Sequence, residues 1–331
     1  MDDNIPPRMW KKLILIQGHR RSGSTWLAAV LGEAEEASLI PYEPLWLKHH
    51  PDSEIGDRIA QMRRKSGWYI DFNHDNEDNV TFARLIREHL AALVEHYFGG
   101  PVGTLLIKEP HPNWMPILKA AFQPDHVLFL DRHPLGILNS YEKSALYEGW
   151  ETEDEWQKFL IDMQKIAPDR LSDMGRIAHP AKRVVYMAYI GRQLCLEGVK
   201  DIPHTVVQYE PLCLDPYNEF AHIFRNLGWH WDETIRARVK PLVDPDGENE
   251  PGFVAVHKRS KERAYAWRKE MAPHLVRAIT CFLEKIGWEI NLPDEVEPLT
   301  LAEKLRRIKI YIRRRYYWLR RFGVKAVLRS R

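Results

Sequence analysis

The chain has 331 residues, 44% of them hydrophobic, with 48 Lys or Arg against 46 Asp or Glu and a net charge of +2. That apolar content supports one large core, or one domain with an appendage. Cys195, Cys213 and Cys281 are too few and too widely spaced for a metal or disulfide framework and read as reduced and buried, and no apolar run approaches the ~20 residues that cross a bilayer.

In chain order, Met1 to Lys12 is short, polar and lacks the apolar core of a signal peptide. Residues 12–17 then read as a buried strand, followed by Gly18-His19-Arg20-Arg21-Ser22-Gly23-Ser24-Thr25-Trp26 and a helix over 24–33. The turn has the spacing of a P-loop, with Gly18 and Gly23 in place and Thr25 keeping the hydroxyl, but Ser24 stands where the lysine belongs. Backbone N–H groups of such a turn and the positive end of its helix bind a tetrahedral anion. A nucleoside triphosphatase needs the lysine for its β/γ-phosphates, so Arg20 and Arg21 point to an anion of another kind.

Further strands are expected at 37–42, 104–108, 126–131 and 204–209, and helices at 80–97, 135–146, 182–198 and 216–227. Short apolar runs alternating with helical patterns predict an α/β fold with a central parallel sheet flanked by helices. Tyr42-Glu43-Pro44-Leu45-Trp46 follows the second strand, where a carboxylate can face the cleft, and Lys108-Glu109-Pro110-His111 ends the third. Arg132 ends the fourth, with Ser140 eight residues on, two turns into the next helix; together they can grip a second phosphate. Asp131 also ends that strand and keeps a kinase or ATPase with a variant loop in play as the alternative.

Segment 49–79 is polar and reads as an acceptor-side insertion or lid; 147–180 is acidic, then helical, and reads as an outer face. Pro241 to Gly252 reads as a mobile loop and 262–286 as one long helix. From 299 onwards the composition changes. Residues 301–331 hold twelve Lys or Arg and one acid, so a chain of +2 leaves −9 for the preceding 300. Leu301, Leu305, Ile308, Ile312, Tyr316, Leu319 and Phe322 share one helical stripe, the pattern of an amphipathic helix on an anionic membrane surface (residues 301–328). Docking on the acidic body and pairing with a partner subunit compete with this reading; RNA binding is a weaker one, since no RNA-binding fold precedes the tail. The chain thus divides into 1–298 and a basic extension, 299–331.

The two phosphate motifs together resemble the PAPS-dependent sulfotransferases, whose donor is 3′-phosphoadenosine-5′-phosphosulfate (PAPS). The resemblance covers roughly residues 12–290. It implies that Arg21, Ser22, Gly23, Ser24, Thr25 and Trp26 hold the 5′-phosphosulfate, with Arg20 beside them, and that Arg132 and Ser140 hold the 3′-phosphate. It implies no metal. Tyr209, in Tyr209-Glu210-Pro211-Leu212, is similar to the family's adenine-contacting tyrosine, and Lys258 and Arg259 to a basic loop closing over the 3′-phosphate. The Tyr42–Trp46 segment resembles the Glu-Pro-x-Trp element of carbohydrate 6-O-sulfotransferases, which makes Glu43 the expected general base. The third strand end looks like the Lys-Asp-Pro-Arg form of carbohydrate-type relatives rather than Lys-Thr-His-Leu-Pro. Lys108 is then expected to support the sulfuryl group, His111 to be a substitute base or acceptor contact, and Glu109 a lesser candidate. The expected activity is sulfuryl transfer to a hydroxyl of a glycan or lipid-linked saccharide, with cytoplasmic location and peripheral attachment to the inner face of the plasma membrane. A non-catalytic membrane adaptor is the third reading, and the assembled Arg21, Glu43, Lys108 and Arg132 speak against it.

Overall fold

The computed structural model describes residues 7–45, 53–66, 72–73, 75–144, 153–166, 177–245 and 260–288. Trp46, Lys258, Arg259 and the whole basic extension, 299–331, lie outside them. Five strands, β1 (Trp10–Gly18), β2 (Ala37–Leu39), β3 (Val102–Lys108), β4 (His126–Asp131) and β5 (His204–Gln208), form one parallel sheet in the order β2-β3-β1-β4-β5. This is the α/β architecture that the alternating pattern predicts.

β1 sits at the centre, flanked by β3 on one side and β4 on the other. The chain builds β2 and β3 to one side, then crosses to add β4 and β5, so the carboxyl end of β1 lies where the winding reverses. Ligands bind at that position in open α/β sheets. Register places Ile16 opposite Lys108 and Gly18 opposite Leu130, which brings the predicted site segments to one edge.

Alternate residues of β1 serve two cores. Leu13 and Leu15 pack with α3 (Glu77–Phe98), α4 (Met115–Phe122) and part of α7 (Pro180–Gly198). Ile14 and Ile16 face α1 (Ser24–Leu31), α8 (Tyr209–Leu214), α9 (Pro216–Leu227) and α10 (Glu233–Val243). A parallel strand covered on both faces must be apolar on both, which is why Leu13–Ile16 reads as an unbroken run. Caps fix where helices begin: the Asn76 side chain accepts from the N–H groups of Asp78 and Asn79, and that of Asp232 from Ile235.

The polar 49–79 segment contains a helix, α2 (Ser53–Ser66), packed against α3. Four expectations are corrected. The acidic segment's helix, α6 (Glu153–Ile166), buries Trp156, Phe159 and Met163 against Tyr186, Met187 and Ile190 and so is more than an outer face. The loop expected from Pro241 begins later, because α10 runs through Pro241 to Val243; a proline one turn from a helix end removes few hydrogen bonds. The long helix over 262–286 is three pieces: α11 (Lys261–Ala264), α12 (Ala266–Glu270) and α13 (Pro273–Lys285). Tyr265 leaves helical geometry, and Ala272 is extended because it precedes Pro273. The cysteines are free, but only Cys195 and Cys213 are buried; Cys281 is exposed.

Candidate active site at the carboxyl edge of the sheet

The loop after β1 is shaped by two glycines. Gly18 has φ +155°, and a Cβ there would lie 2.8 Å from both the Leu130 carbonyl oxygen and Ser22 Oγ. Gly23 has φ +104°, and its Cβ would lie 2.5 Å from Tyr209 Cε2. Between them Arg21 adopts φ +72°, a left-handed conformation that costs a non-glycine residue on the order of 1–2 kcal/mol. The Ser22 N–H donates to the His19 carbonyl at 2.9 Å and closes the turn. α1 starts directly after Gly23 with no side-chain cap, and the buried Ser22 Oγ has no hydrogen-bond partner. An uncapped helix start beside an orphaned hydroxyl suits a bound oxyanion.

Arg132 and Ser140, the latter on α5 (Pro134–Ser144), come to the same loop. Arg21 Nε donates to Ser140 Oγ at 3.1 Å, and Arg132 Nη1 donates to the Arg21 carbonyl at 2.8 Å. The Arg132 guanidinium carbon lies 4.2 Å above the Tyr209 ring. Gly136 makes room for it, since a Cβ there would lie 2.9 Å from Arg132 Nε. Burial, with Arg132, Arg20 and Arg263 close by, holds the Arg21 guanidinium below its usual range. Cations crowded in this way favour a ligand with several negative charges. Arg132→Ala should therefore weaken 3′-phosphoadenosine-5′-phosphate (PAP) by roughly 10- to 100-fold, the loss of a charge-assisted bond of about 1.5–3 kcal/mol. Calorimetric titration checks this, and an unchanged Kd removes Arg132 from the clamp.

Arg263, on α11, is a member of this group that the sequence pattern did not single out. Its guanidinium lies 5.3 Å from the Trp26 ring. Trp26 itself belongs to the core, 1% exposed, with Nε1 donating to the Leu242 carbonyl at 2.8 Å. The only hint of Arg263 in the sequence was its place four residues beyond Arg259.

A second cluster forms where β2 and β3 end. Lys108 Nζ donates to Thr25 Oγ1 at 2.8 Å and pairs with Glu43 Oε1 at 2.8 Å. Glu43, Lys108 and the loop are therefore brought together, although they lie far apart in the chain. The segment bearing Glu43 is anchored from behind. The Leu45 N–H donates to Glu109 Oε2 at 2.9 Å, and His89 Nε2, from α3, meets the Pro44 carbonyl at 2.5 Å. Glu109 is fully buried, and its other oxygen meets His111 Nδ1. Glu109 thus orients His111 and the Glu43 segment, whereas His111 stands nearer the surface with its side chain 11% exposed.

Tyr209 opens α8 instead of ending β5. Its ring is fully buried beneath Gly23, beside Arg132 and edge-on to Trp26, so the structure makes it the floor of the loop. Next to it, Glu210 receives the His133 N–H at 3.1 Å on Oε1. Burial pushes the Glu210 carboxyl up to about 7, with Arg132 pulling the other way. Buried His19 and partly buried His133 are held down by desolvation at about 4 and about 3, the latter also by Arg268 and Arg132.

The signs differ. Glu210 is raised above its unfolded value, so its contribution to stability declines as pH rises from about 4.5 to about 7. The two histidines are lowered, so theirs grows between their folded values and about 6.5. Glu210→Gln cannot ionise and should gain Tm relative to the parent as pH rises through that window. Melting curves across it check this; a pH-independent difference contradicts the buried, raised carboxyl.

The description "Sulfotransferase family" matches residues 14–233, two thirds of the chain. No curated protein sequence matches. Among solved structures, the sulfotransferase domain of the Synechococcus PCC 7002 olefin synthase is similar at 18% identity and TM-score 0.46, over 88% of this chain and 98% of that one. Mouse sulfotransferase SULT7A1 complexed with PAP is similar at 14% identity and TM-score 0.45, over 86% of each. Sulfotransferase STF9 from Mycobacterium avium is similar at 12% identity and TM-score 0.44, over 87% of this chain and 79% of that one. With a family match that spans two thirds of the chain, from β1 through β5, this chain belongs to the sulfotransferase family and is a PAPS-dependent sulfotransferase.

Proposed function

We propose that the enzyme moves the sulfuryl group of PAPS to a hydroxyl of a glycan or lipid-linked saccharide, with Glu43 as the general base. The observation that supports this reading is the bridge of Lys108 Nζ between Thr25 Oγ1 and Glu43 Oε1. It holds a carboxylate beside the anion-binding loop, and the Glu-Pro pair that bears it resembles the element of carbohydrate-type relatives. PAPS supplies an activated sulfuryl group and a phosphate leaving group. Arg21, Ser22 and the first N–H groups of α1 would hold the phosphosulfate, and Arg132 and Ser140 the 3′-phosphate. Lys108 offers positive charge where it develops on oxygen, and Glu43 accepts the proton of the attacking hydroxyl. Little covalent work falls to the protein, so alignment and charge placement carry the rate.

A second reading of the base has its own observation. His111 is backed by the buried Glu109 carboxylate, the arrangement that orients an imidazole for proton abstraction. The kinase alternative loses its acidic strand end: Arg192 Nε, from α7, donates to Asp131 Oδ2 at 2.9 Å and neutralises it.

The acceptor class is tested with labelled donor against glycan and phenolic acceptors, followed by mass spectrometry of the products. Sulfated saccharide is expected, and turnover of phenols alone contradicts it. We also propose that residues 301–328 attach the enzyme to an anionic membrane surface, on the strength of their apolar stripe and basic faces. Deletion of 301–331 should abolish co-sedimentation with phosphatidylserine vesicles, and persistent co-sedimentation contradicts the assignment.

A further inference from the structure

On the face of the sheet that carries Leu13 and Leu15, three adjacent strands turn polar at the carboxyl edge, β1 and β3 at one level and β4 one step later. The side chains run Leu105, Ile107, then Glu109 along β3 and just beyond it. They run Leu13, Leu15, then Gln17 along β1, and Val127, Phe129, then Asp131 along β4. Register sets Gln17 level with Glu109 on one side and with Phe129 on the other, and the two-residue period puts Asp131 one step further along β4. Glu109 and Asp131 are both partnered, Glu109 with His111 and the Leu45 N–H, Asp131 with Arg192. Gln17 is fully buried, and neither its Oε1 nor its Nε2 has a hydrogen-bond partner.

An unpaired carboxamide in a protein interior is costly, and a leucine would continue the apolar face at no such cost. A buried amide kept unpaired is therefore most economically explained by a ligand that completes it. Gln17 directly precedes Gly18, the first residue of the donor loop, but it faces away from α1, whose uncapped start belongs to the donor side. Its polar neighbour on this face is Glu109, which carries His111.

We propose that Gln17 is a specificity-determining contact for the acceptor, and that it shares the acceptor's polar subsite with the adjacent Glu109–His111 pair. A carboxamide donates through Nε2 and accepts through Oε1. Neighbouring hydroxyls of a saccharide present that complementary pair; a phenol, with one hydroxyl on an apolar ring, does not. The inference rests on the saccharide reading above and gives it a residue.

The test uses Gln17→Leu and Gln17→Met in the full chain, with p-nitrophenyl glycosides as saccharide probes and p-nitrophenol as the phenolic comparator. KM for the glycosides should rise roughly 10- to 100-fold in both variants, with KM for p-nitrophenol and the Kd of PAP within about twofold of the parent. Tm should be unchanged or higher. A fall in PAP affinity matching the rise in KM would place Gln17 on the donor and overturn the proposal. So would an unchanged glycoside KM with a raised Tm, which marks a merely structural amide. A parent enzyme that sulfates no glycoside removes the saccharide reading, and this inference with it. A parent that does so while both variants match it removes the inference alone. Should Gln17→Leu fail to fold, the methionine variant carries the comparison.

Discussion

Glu43→Gln is expected to lower kcat by about 10²–10⁴-fold while PAP binds as tightly as before. The amide keeps an oxygen for Lys108 Nζ, which sits 2.8 Å from Glu43 Oε1, so the loop and its Thr25 contact stay in place. What is lost is the ability to accept a proton. Steady-state kinetics at saturating donor, alongside calorimetric PAP titration, separates the two effects. If turnover survives the substitution, proton abstraction passes to His111. Glu109→Gln then becomes the informative variant, because it removes the carboxylate behind the imidazole.

The second large effect is structural. Gly23→Ala should lower Tm and weaken PAP by more than tenfold. Alanine at φ +104° is strained, and its Cβ would collide with the Tyr209 ring at 2.5 Å. Tyr209 cannot retreat, because it is fully buried between Arg132 and Trp26. Strain of about 1–3 kcal/mol adds to an overpacking cost of about 1–3 kcal/mol. Gly99→Ala supplies the control: its φ is +68°, but nothing lies within 4 Å of the added Cβ. It should show a modest stability loss and unaltered PAP binding. If Gly23→Ala behaves like Gly99→Ala, the tyrosine is not the rigid floor described above.

These expectations show which parts of the molecule could be read from the chain. The sheet was legible because its central strands are short apolar runs: Leu13–Ile16 and Val127–Leu130 are buried on both faces and so lack alternation. The anion loop was legible because spacing alone brings Gly18, Gly23 and Thr25 to one turn. The Arg132–Ser140 pair was legible because eight residues of strand end and helix bring both to one side. Their meeting with Arg21 depends on β4 lying next to β1, which no local pattern states.

The rest was hidden for identifiable reasons. His89 is one histidine among many in the sequence, and its bond to Pro44 spans 45 residues. Glu109 could be read only as a lesser candidate base until its burial and both its partners were known. Tyr209 follows a strand, and one residue of register decides whether such a ring lines a cleft or lies beneath the loop. The break at Tyr265 and Ala272 is set by Pro273 and by packing of Trp267 and Met271 against α5 and α7, which helical spacing over 262–286 cannot reveal. Gln17 read as one more residue of a buried strand, because an unpaired amide is visible only once its neighbours are placed.

The direct test of the central claim is a calorimetric titration of the full chain with PAP and, separately, with ATP, each in the presence of EDTA. One nucleotide spanning the lysine-free loop and the Arg132–Ser140 clamp should bind as PAP, at one site per chain and without metal, far more tightly than ATP. Equal affinities, or a preference for ATP that returns with Mg2+, would contradict it.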